Sequence, residues 1–96
     1  NKIQALTALD EALPLDDLAA KFRAFNWDCV EVNDGHSFEQ LLPVLQQHNN
    51  IDKPRAVIVH TIKCKGVKSF ENDPRWHARK IRGEELEIAK QELGIA

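Results

Sequence analysis

The chain of 96 residues is long enough for one small domain or for part of one. Hydrophobic residues make up 43% of it, an ordinary share for a globular protein, and no apolar run approaches the roughly 20 residues that a membrane-spanning helix needs. The formal net charge of −2 argues against a general attraction to nucleic acid or to an anionic membrane.

The start of the chain and its two cysteines bear on the length of the full protein and on its cellular compartment. The sequence has no methionine and begins with Asn1, so we interpret it as a segment of a longer chain that starts at an internal point. Cys29 and Cys64 fit no metal-binding spacing. We therefore predict reduced thiols in a cytoplasmic protein.

The first predicted helix covers residues 14–25, because its leucines and phenylalanines repeat at helical spacing on one face. Pro14 is placed at its first position, and Asn26 follows its end as a left-handed cap. Residues 29–32 are predicted to form a short strand, followed by a turn over residues 33–36.

A second helix is predicted to begin near Ser37, with Gln40 at capping-box spacing. Pro43 should kink or restart this helix. Residues 55–61, RAVIVHT, form the strongest predicted strand. Their continuous apolar run is typical of a parallel strand that is covered on both faces.

A polar loop over residues 62–81 and a final helix from Glu84 to Leu93 complete the predicted elements. The order helix, strand, helix, strand, helix indicates an α/β fold with a parallel sheet. Because two strands do not make a stable sheet, we expect strands outside this segment to complete it. Ligands of such sheets bind beyond the carboxyl ends of the strands.

Several polar residues are predicted to gather at that edge. The side chain of Asn1 and the backbone carbonyl of Ile3 can supply oxygens to a hard cation such as Mg²⁺. Lys63 and Lys65 can contact a phosphate as point charges, and His77 can donate to a phosphoryl oxygen or move a proton near neutral pH.

Each of these features has a more ordinary explanation when it is taken alone. An asparagine in a turn, solvated lysines and a surface histidine are all commoner than a metal or phosphate site. Residues 34–37, Asp-Gly-His-Ser, are best explained as a tight turn that starts a helix, with a catalytic role as the less favoured alternative.

Five stretches taken in order resemble transketolase. They are NKIQ, AAKFRAFNWDCVEV, DGHS, KPRAVIVHTIKCKGV and ENDPRWHARK. The family pattern is NK-L/I-Q followed by an apolar residue and Asp-Gly, then AFGW, DGHD or DGHS, TVKGKGV and ENDPxWHGK. The resemblance covers nearly all 96 residues. It points to the second half of the diphosphate-binding domain for thiamine diphosphate, most like the N-terminal subunit of split bacterial transketolases.

The resemblance implies roles for four residues. Asn1, through its side-chain oxygen, and Ile3, through its backbone carbonyl, would bind Mg²⁺ or Ca²⁺. Lys63 would lie against thiamine diphosphate. His77 would contact the diphosphate and the reacting sugar, as a catalytic residue. The resemblance leaves open whether Lys65 also contacts the cofactor.

The activity implied by the resemblance is transfer of a two-carbon glycolaldehyde unit from a ketose phosphate to an aldose phosphate. The upstream half of the domain and a pyrimidine-binding domain would lie outside residues 1–96, the latter on a partner chain or subunit of the same enzyme. The resemblance implies a dimer of such pairs.

Three departures from family glycines near the candidate site keep alternatives open. Thr7, Cys64 and Ala78 stand where the pattern has glycine. Asn26, in place of the glycine of AFGW, is benign because asparagine tolerates the left-handed region. The three departures motivate a catalytically weakened paralogue that serves as an assembly or regulatory partner. A related thiamine-diphosphate enzyme that uses an unusual sugar is the other alternative.

Overall fold

The computed structural model of the chain describes residues 1–47 and 52–95. Two compact units make up the chain: Leu15–Thr61, here the strand unit, and Asn1–Pro14 with the chain from Ile62 onward, here the loop unit. None of the described helices has the length and apolarity that crossing a membrane requires. In chain order the elements are β1 (Ile3–Gln4), β2 (Thr7–Ala8), α1 (Leu9–Ala12), α2 (Leu18–Ala24), β3 (Asp28–Val32), α3 (Phe38–Gln46), β4 (Arg55–Val59), a 3₁₀ helix (Pro74–His77) and α4 (Glu84–Glu92).

The strand unit is built on a parallel pair, β3 and β4. The register pairs Asp28 with Arg55 at one end and Val32 with Val59 at the other. Arg55 Nε donates to the Asp28 carboxylate at 2.7 Å, and this ion pair holds the first rung of the ladder. The predicted α/β order with a parallel sheet is confirmed. Among the described residues of this unit, the buried side chains are Ala19, Val32 and Ala56.

The predicted start of the first helix is wrong. α2 begins at Leu18 rather than at Pro14, because Asp17 Oδ1 accepts a hydrogen bond from Ala20 N–H at 2.8 Å and caps the helix there. The predicted cap after the helix is confirmed, since Asn26 has a left-handed φ of 65°.

The start of α3 follows the prediction, but its predicted capping box is wrong. The Ser37 side chain makes no capping hydrogen bond, and Gln40 Oε1 instead accepts from Asp34 N–H at 3.1 Å. The helix does not restart at Pro43, because α3 continues through it. Proline removes the hydrogen bond to the Glu39 carbonyl, and Glu39 lies on the exposed first turn, where water can replace that bond.

The strand unit leaves apolar side chains in contact with solvent. Val57, Ile58 and Val59 are half-buried, and Phe25 and Phe38 are 81% and 74% exposed. The described part of the chain therefore does not supply the two-sided cover that the apolar run of β4 predicts.

The loop unit opens with a β-hairpin that the sequence did not predict. β1 and β2 pair antiparallel, with Ile3 opposite Ala8 and Gln4 opposite Thr7. The usual hairpin signature of glycine in a two-residue turn is missing, because Ala5 takes the positive φ of 50° instead.

The predicted polar loop contains a short helix of its own. The 3₁₀ helix Pro74–His77 contacts β2, and Phe70, just before it, is buried. α4 ends one residue before the predicted Leu93, and Gly94 follows with a φ of 65°. Ala89 is the buried side chain of α4.

Candidate functional site

The four predicted site residues all lie in the loop unit. Asn1 precedes β1 and Ile3 begins it, while Lys63 opens the long loop and His77 ends the 3₁₀ helix. β2 contacts the 3₁₀ helix, and the Lys63 carbonyl accepts a hydrogen bond from Asn72 N–H at 3.1 Å. The structure therefore brings the segments that bear these residues into one compact unit.

Asn1 and Ile3 present oxygens on one edge of the hairpin. Asn1 Oδ1 accepts from Ile3 N–H at 3.0 Å. Leu9 N–H donates to the Lys2 carbonyl at 2.9 Å, so in the alternating ladder the N–H and C=O of Ile3 point away from β2, to the side on which the N–H meets Asn1. An amide oxygen has a second lone pair for another partner. Within residues 1–47 and 52–95, no three His, Cys, Asp or Glu side chains gather to hold a metal ion.

Lys63 and Lys65 have different surroundings. Lys65 Nζ lies 3.8 Å from Glu71 Oε1. Among the described residues, the Lys63 ammonium has no carboxylate partner, and its side chain is half-buried. A partly desolvated cation without a partner gains more from an incoming anion than one that is already paired.

The turn after Lys63 is left-handed at Cys64, with a φ of 58°, and has a φ of 105° at Gly66. A Cβ in the left-handed region costs roughly 1–2 kcal/mol, because it approaches the following carbonyl oxygen. Of Thr7, Cys64 and Ala78, the three departures from family glycines near the candidate site, only Cys64 has a positive φ. Thr7 lies in β2, and Ala78 has a φ of −139°.

His77 is exposed at the end of the 3₁₀ helix, whose start is fixed by Asp73. The Asp73 carboxylate accepts from the backbone N–H of Arg75 at 2.9 Å and from its guanidinium. These hydrogen bonds, chiefly those from the guanidinium, hold the pKa of Asp73 below its ordinary value. An exposed imidazole in this position is open to contact with a ligand.

The residue before His77 is held by its ring contacts. Trp76 stacks on Phe70 with ring centroids 3.9 Å apart, and the guanidinium of Arg79 lies 4.8 Å from the Trp76 ring centroid. Arg79 also donates to Glu85 of α4. These contacts restrict the orientation of the short helix that carries the histidine.

Residues Asp34–Ser37 lie in the strand unit, against the end of β4. Gly35 N–H donates to the His60 carbonyl at 2.8 Å, and a Cβ at Gly35 would come within 2.3 Å of Val59 Cγ1. Only glycine permits this approach of the turn to the strand. This geometry supports the structural explanation of the turn.

Glu71 and Asp73 are the functional candidates that the sequence reasoning missed. Glu71 pairs with Lys65 beside Lys63, and Asp73 caps the helix that ends at His77. The signal was present in the sequence, because both carboxylates belong to the ENDP stretch between the two predicted site residues.

Comparisons with known proteins find matches that extend over nearly the whole chain. The family model described as transketolase, thiamine diphosphate binding domain, matches residues 1–96. Over 93 residues the chain is 31% identical to a protein of Actinobacillus succinogenes named as one of the subunits of apulose-4-phosphate transketolase, covering 97% of this chain and 33% of that protein. It is 33% identical over 94 residues to the 6-deoxy-6-sulfo-D-fructose transketolase subunit SqwG of Clostridium sp., covering 97% and 34%.

A further relative lies outside the proteins named as subunits. Over 80 residues, 28% are identical to transketolase 2 of Escherichia coli, covering 82% of this chain and 12% of that protein. The chain spans about one third of the length of the two subunits, 33% and 34%. The chain belongs to the transketolase family, and residues 1–96 match its thiamine diphosphate binding domain.

Proposed function

We propose that the chain is part of a transketolase that transfers a two-carbon glycolaldehyde unit from a ketose phosphate to an aldose phosphate. The observation that carries this proposal is the family match over residues 1–96. Thiamine diphosphate, when bound, supplies the chemistry that breaks and makes the carbon–carbon bond. The reaction belongs to carbohydrate metabolism of the pentose phosphate type.

Asn1 and Ile3 are the proposed ligands of Mg²⁺, or of Ca²⁺, beside the diphosphate. Their side-chain and backbone oxygens face the same edge of the hairpin, which supports a shared partner. Uncharged oxygens of this kind suit hard cations that share their coordination with phosphate. Through the metal, Ile3 also contributes to cofactor binding.

Lys63 is the proposed contact to the diphosphate. Lys63 is a half-buried residue whose ammonium has no ion pair within the described segments, whereas Glu71 pairs with Lys65. A phosphate oxygen would accept a charge-assisted hydrogen bond from Lys63 Nζ.

His77 is the proposed catalytic residue, donating to a diphosphate oxygen and moving a proton at a sugar oxygen. We expect His77→Ala to slow turnover of the complete enzyme about 10²–10⁴-fold, the usual scale of acid–base catalysis, while cofactor affinity changes less. Steady-state kcat beside a thiamine diphosphate titration measures both. His60→Ala, at an exposed histidine of the strand unit, is the control. Equal losses in kcat and affinity for His77→Ala would contradict the proton role.

The complete enzyme is proposed to contain the upstream half of this domain and a pyrimidine-binding domain. Two relatives are named as subunits, which supports a partner chain, and the chain covers about a third of each, 33% and 34%, which leaves room for the upstream half. A dimer of such pairs is the proposed assembly. Sugar phosphates are the proposed substrates. We propose neither nucleic acid nor a membrane as a binding partner. The free thiols Cys29 and Cys64 support a cytoplasmic location.

Two alternatives have support from specific observations. The left-handed Cys64 favours a weakened paralogue that serves as an assembly or regulatory partner. The names of two relatives, for apulose 4-phosphate and for 6-deoxy-6-sulfo-D-fructose, favour a related enzyme with an unusual sugar.

Calorimetric titration of the complete assembly with thiamine diphosphate in excess Mg²⁺ tests the proposal. We expect saturable binding and two-carbon transfer from a ketose phosphate. A folded assembly that binds no cofactor would favour the inert partner. Binding with transfer only from apulose 4-phosphate or 6-deoxy-6-sulfo-D-fructose, and not from the common ketose phosphates, would favour the unusual sugar.

A further inference from the structure

The segment Glu71–Asp73 closes the turn that follows Lys63. Glu71 Oε1 accepts a hydrogen bond from Gly66 N–H at 3.1 Å. The backbone N–H of Asn72 donates to the Lys63 carbonyl at 3.1 Å. Both ends of the turn are therefore tied to one short stretch of chain.

The turn needs such a restraint because of its backbone. Cys64 has a φ of 58°, and a side chain with a Cβ keeps that conformation only when its surroundings enforce it. Glu71 binds the N–H of Gly66 and lies 3.8 Å from the ammonium of Lys65. Without this carboxylate the turn can relax, and Lys63 then samples more orientations.

Asp73 restrains the 3₁₀ helix in a similar way. Its own N–H donates to the Phe70 carbonyl at 3.3 Å, and its carbonyl accepts from Trp76 N–H at 3.3 Å. Its side chain, only 18% exposed, accepts from the N–H and the guanidinium of Arg75. The start of the helix that ends at His77 thus depends on one carboxylate.

We propose that Glu71 and Asp73 are positioning residues, Glu71 for Lys63 in cofactor binding and Asp73 for His77 in turnover. This inference rests on the proposed function, because it assigns each carboxylate to one of its residues. The loss of Glu71 should therefore appear in cofactor affinity, and the loss of Asp73 in rate.

The role of Glu71 is tested by cofactor affinity in the complete, assembled enzyme with excess Mg²⁺. We expect Glu71→Ala to raise the Kd of thiamine diphosphate about tenfold, because the charged hydrogen bond from Lys63 to the diphosphate is weakened. Glu71→Gln keeps an acceptor for Gly66 N–H and should recover most of the affinity. Because Glu71 acts through Lys63, Glu71→Ala should add less than about twofold in a Lys63→Ala background. Equal effects in the two backgrounds would overturn this role.

The role of Asp73 is tested by kcat, with the ketose phosphate that the wild-type enzyme turns over fastest. We expect Asp73→Ala to lower kcat about tenfold through misplacement of the histidine, with less than about twofold change in the Kd of thiamine diphosphate. Asp73→Asn keeps a capping oxygen and should recover most of kcat. An unchanged kcat, or the same fall in a His77→Ala background, would overturn this role.

Glu92 offers a matched control within the same loop. Its Oε2 accepts from the N–H and the hydroxyl of Ser69 at 3.1 and 3.2 Å, so Glu92→Ala removes a loop contact made to neither the turn nor the 3₁₀ helix. We expect near-wild-type Kd and kcat for this variant. If Glu92→Ala lowers kcat or raises the Kd as much as Asp73→Ala or Glu71→Ala does, general loosening of the loop explains the data and the positioning roles are overturned.

Glu71→Ala or Asp73→Ala can fail to assemble. Glu71→Asp and Asp73→Glu, which keep the charge and change the length of the side chain, then replace them with the same expectations.

Single variants at the two proposed site residues separate this inference from the proposed function. If Lys63→Ala weakens cofactor binding and His77→Ala slows turnover, but the carboxylate variants resemble wild type, only the positioning roles are overturned. If Lys63→Ala and His77→Ala change neither quantity, the proposed function is overturned, and the positioning roles with it.

Discussion

At the scale of single residues, one carboxylate distinguishes two neighbouring lysines. Glu71 lies 3.8 Å from Lys65 Nζ, whereas Lys63 has no ion pair in the described part of the chain. Two like charges two residues apart thus face different electrostatic surroundings. Lys63 is the one that an anion would neutralise.

For Lys63 we expect the alanine variant to weaken thiamine diphosphate binding by about 1–3 kcal/mol, the scale of a hydrogen bond to a charged group. Lys65→Ala removes the same charge from the same turn and should have a clearly smaller effect. Calorimetric titration of both variants in the complete enzyme measures the difference. Equal losses would show that the two lysines contribute only a diffuse charge.

For Cys64 we expect replacement by glycine to stabilise the protein by up to about 1.5 kcal/mol. Relief of the left-handed Cβ, worth roughly 1–2 kcal/mol, outweighs the roughly 0.5–1 kcal/mol of extra chain entropy that glycine loses on folding. Ala78→Gly is the matched control, since Ala78 has a φ of −139° and glycine there should only destabilise. Urea unfolding of the complete protein compares them, and an equal effect of both substitutions would contradict the strain at Cys64.

At the scale of elements, the 3₁₀ helix Pro74–His77 depends on contacts at both its ends. Asp73 caps its start, and Trp76 near its end stacks on the buried Phe70. So short a helix has little stability of its own, and its geometry comes from these side chains. The carboxylate at its start makes the element sensitive to pH.

The contribution of Asp73 to stability should disappear in acid. Its pKa is lowered in the folded state, chiefly by the Arg75 guanidinium, so its stabilisation is fully present above the ordinary value of 3.8 and is lost as the pH falls through the lower folded value. We expect the difference in free energy of unfolding between wild type and Asp73→Asn to be constant from neutral pH down to about 5 and to shrink below the ordinary value. Urea titrations across this range measure it. A difference that does not vary with pH would contradict the assignment.

At the scale of the whole molecule, the described chain contains only some of the groups that the proposed reaction needs. The candidate oxygens of Asn1 and Ile3 are two of about six that Mg²⁺ takes, and the remainder must come from the cofactor, from water and from other parts of the enzyme. The chain covers about a third of each of the two relatives named as subunits, 33% and 34%, which leaves room for those parts.

Removal of the metal from the complete enzyme should therefore remove the cofactor as well. We expect EDTA to abolish measurable binding of thiamine diphosphate, and Mg²⁺ or Ca²⁺ to restore it, because the ion neutralises the diphosphate. Asn1→Ala should raise the metal concentration needed for half-maximal restoration, whereas Gln4→Ala, on the same hairpin, should not. Binding that survives chelation would contradict the proposed metal site.

Much of the fold was predictable because its signals are local in the chain. The apolar spacing of α2, the run of β4 and the cap at Asn26 all depend on near neighbours in sequence. The hairpin was missed because Ala5 occupies a position where glycine is the usual signal. The capping box failed because Gln40 binds the backbone of Asp34 in the preceding turn instead.

The amino-acid sequence by itself determined the α/β order, the family and the candidates Asn1, Ile3, Lys63 and His77, because residue type and spacing carry that information. The tertiary structure decided which lysine is paired, which departure from glycine is strained, and which carboxylates hold the candidate residues. Those properties arise where Glu71 and Asp73 meet backbone and side chains that no local pattern specifies.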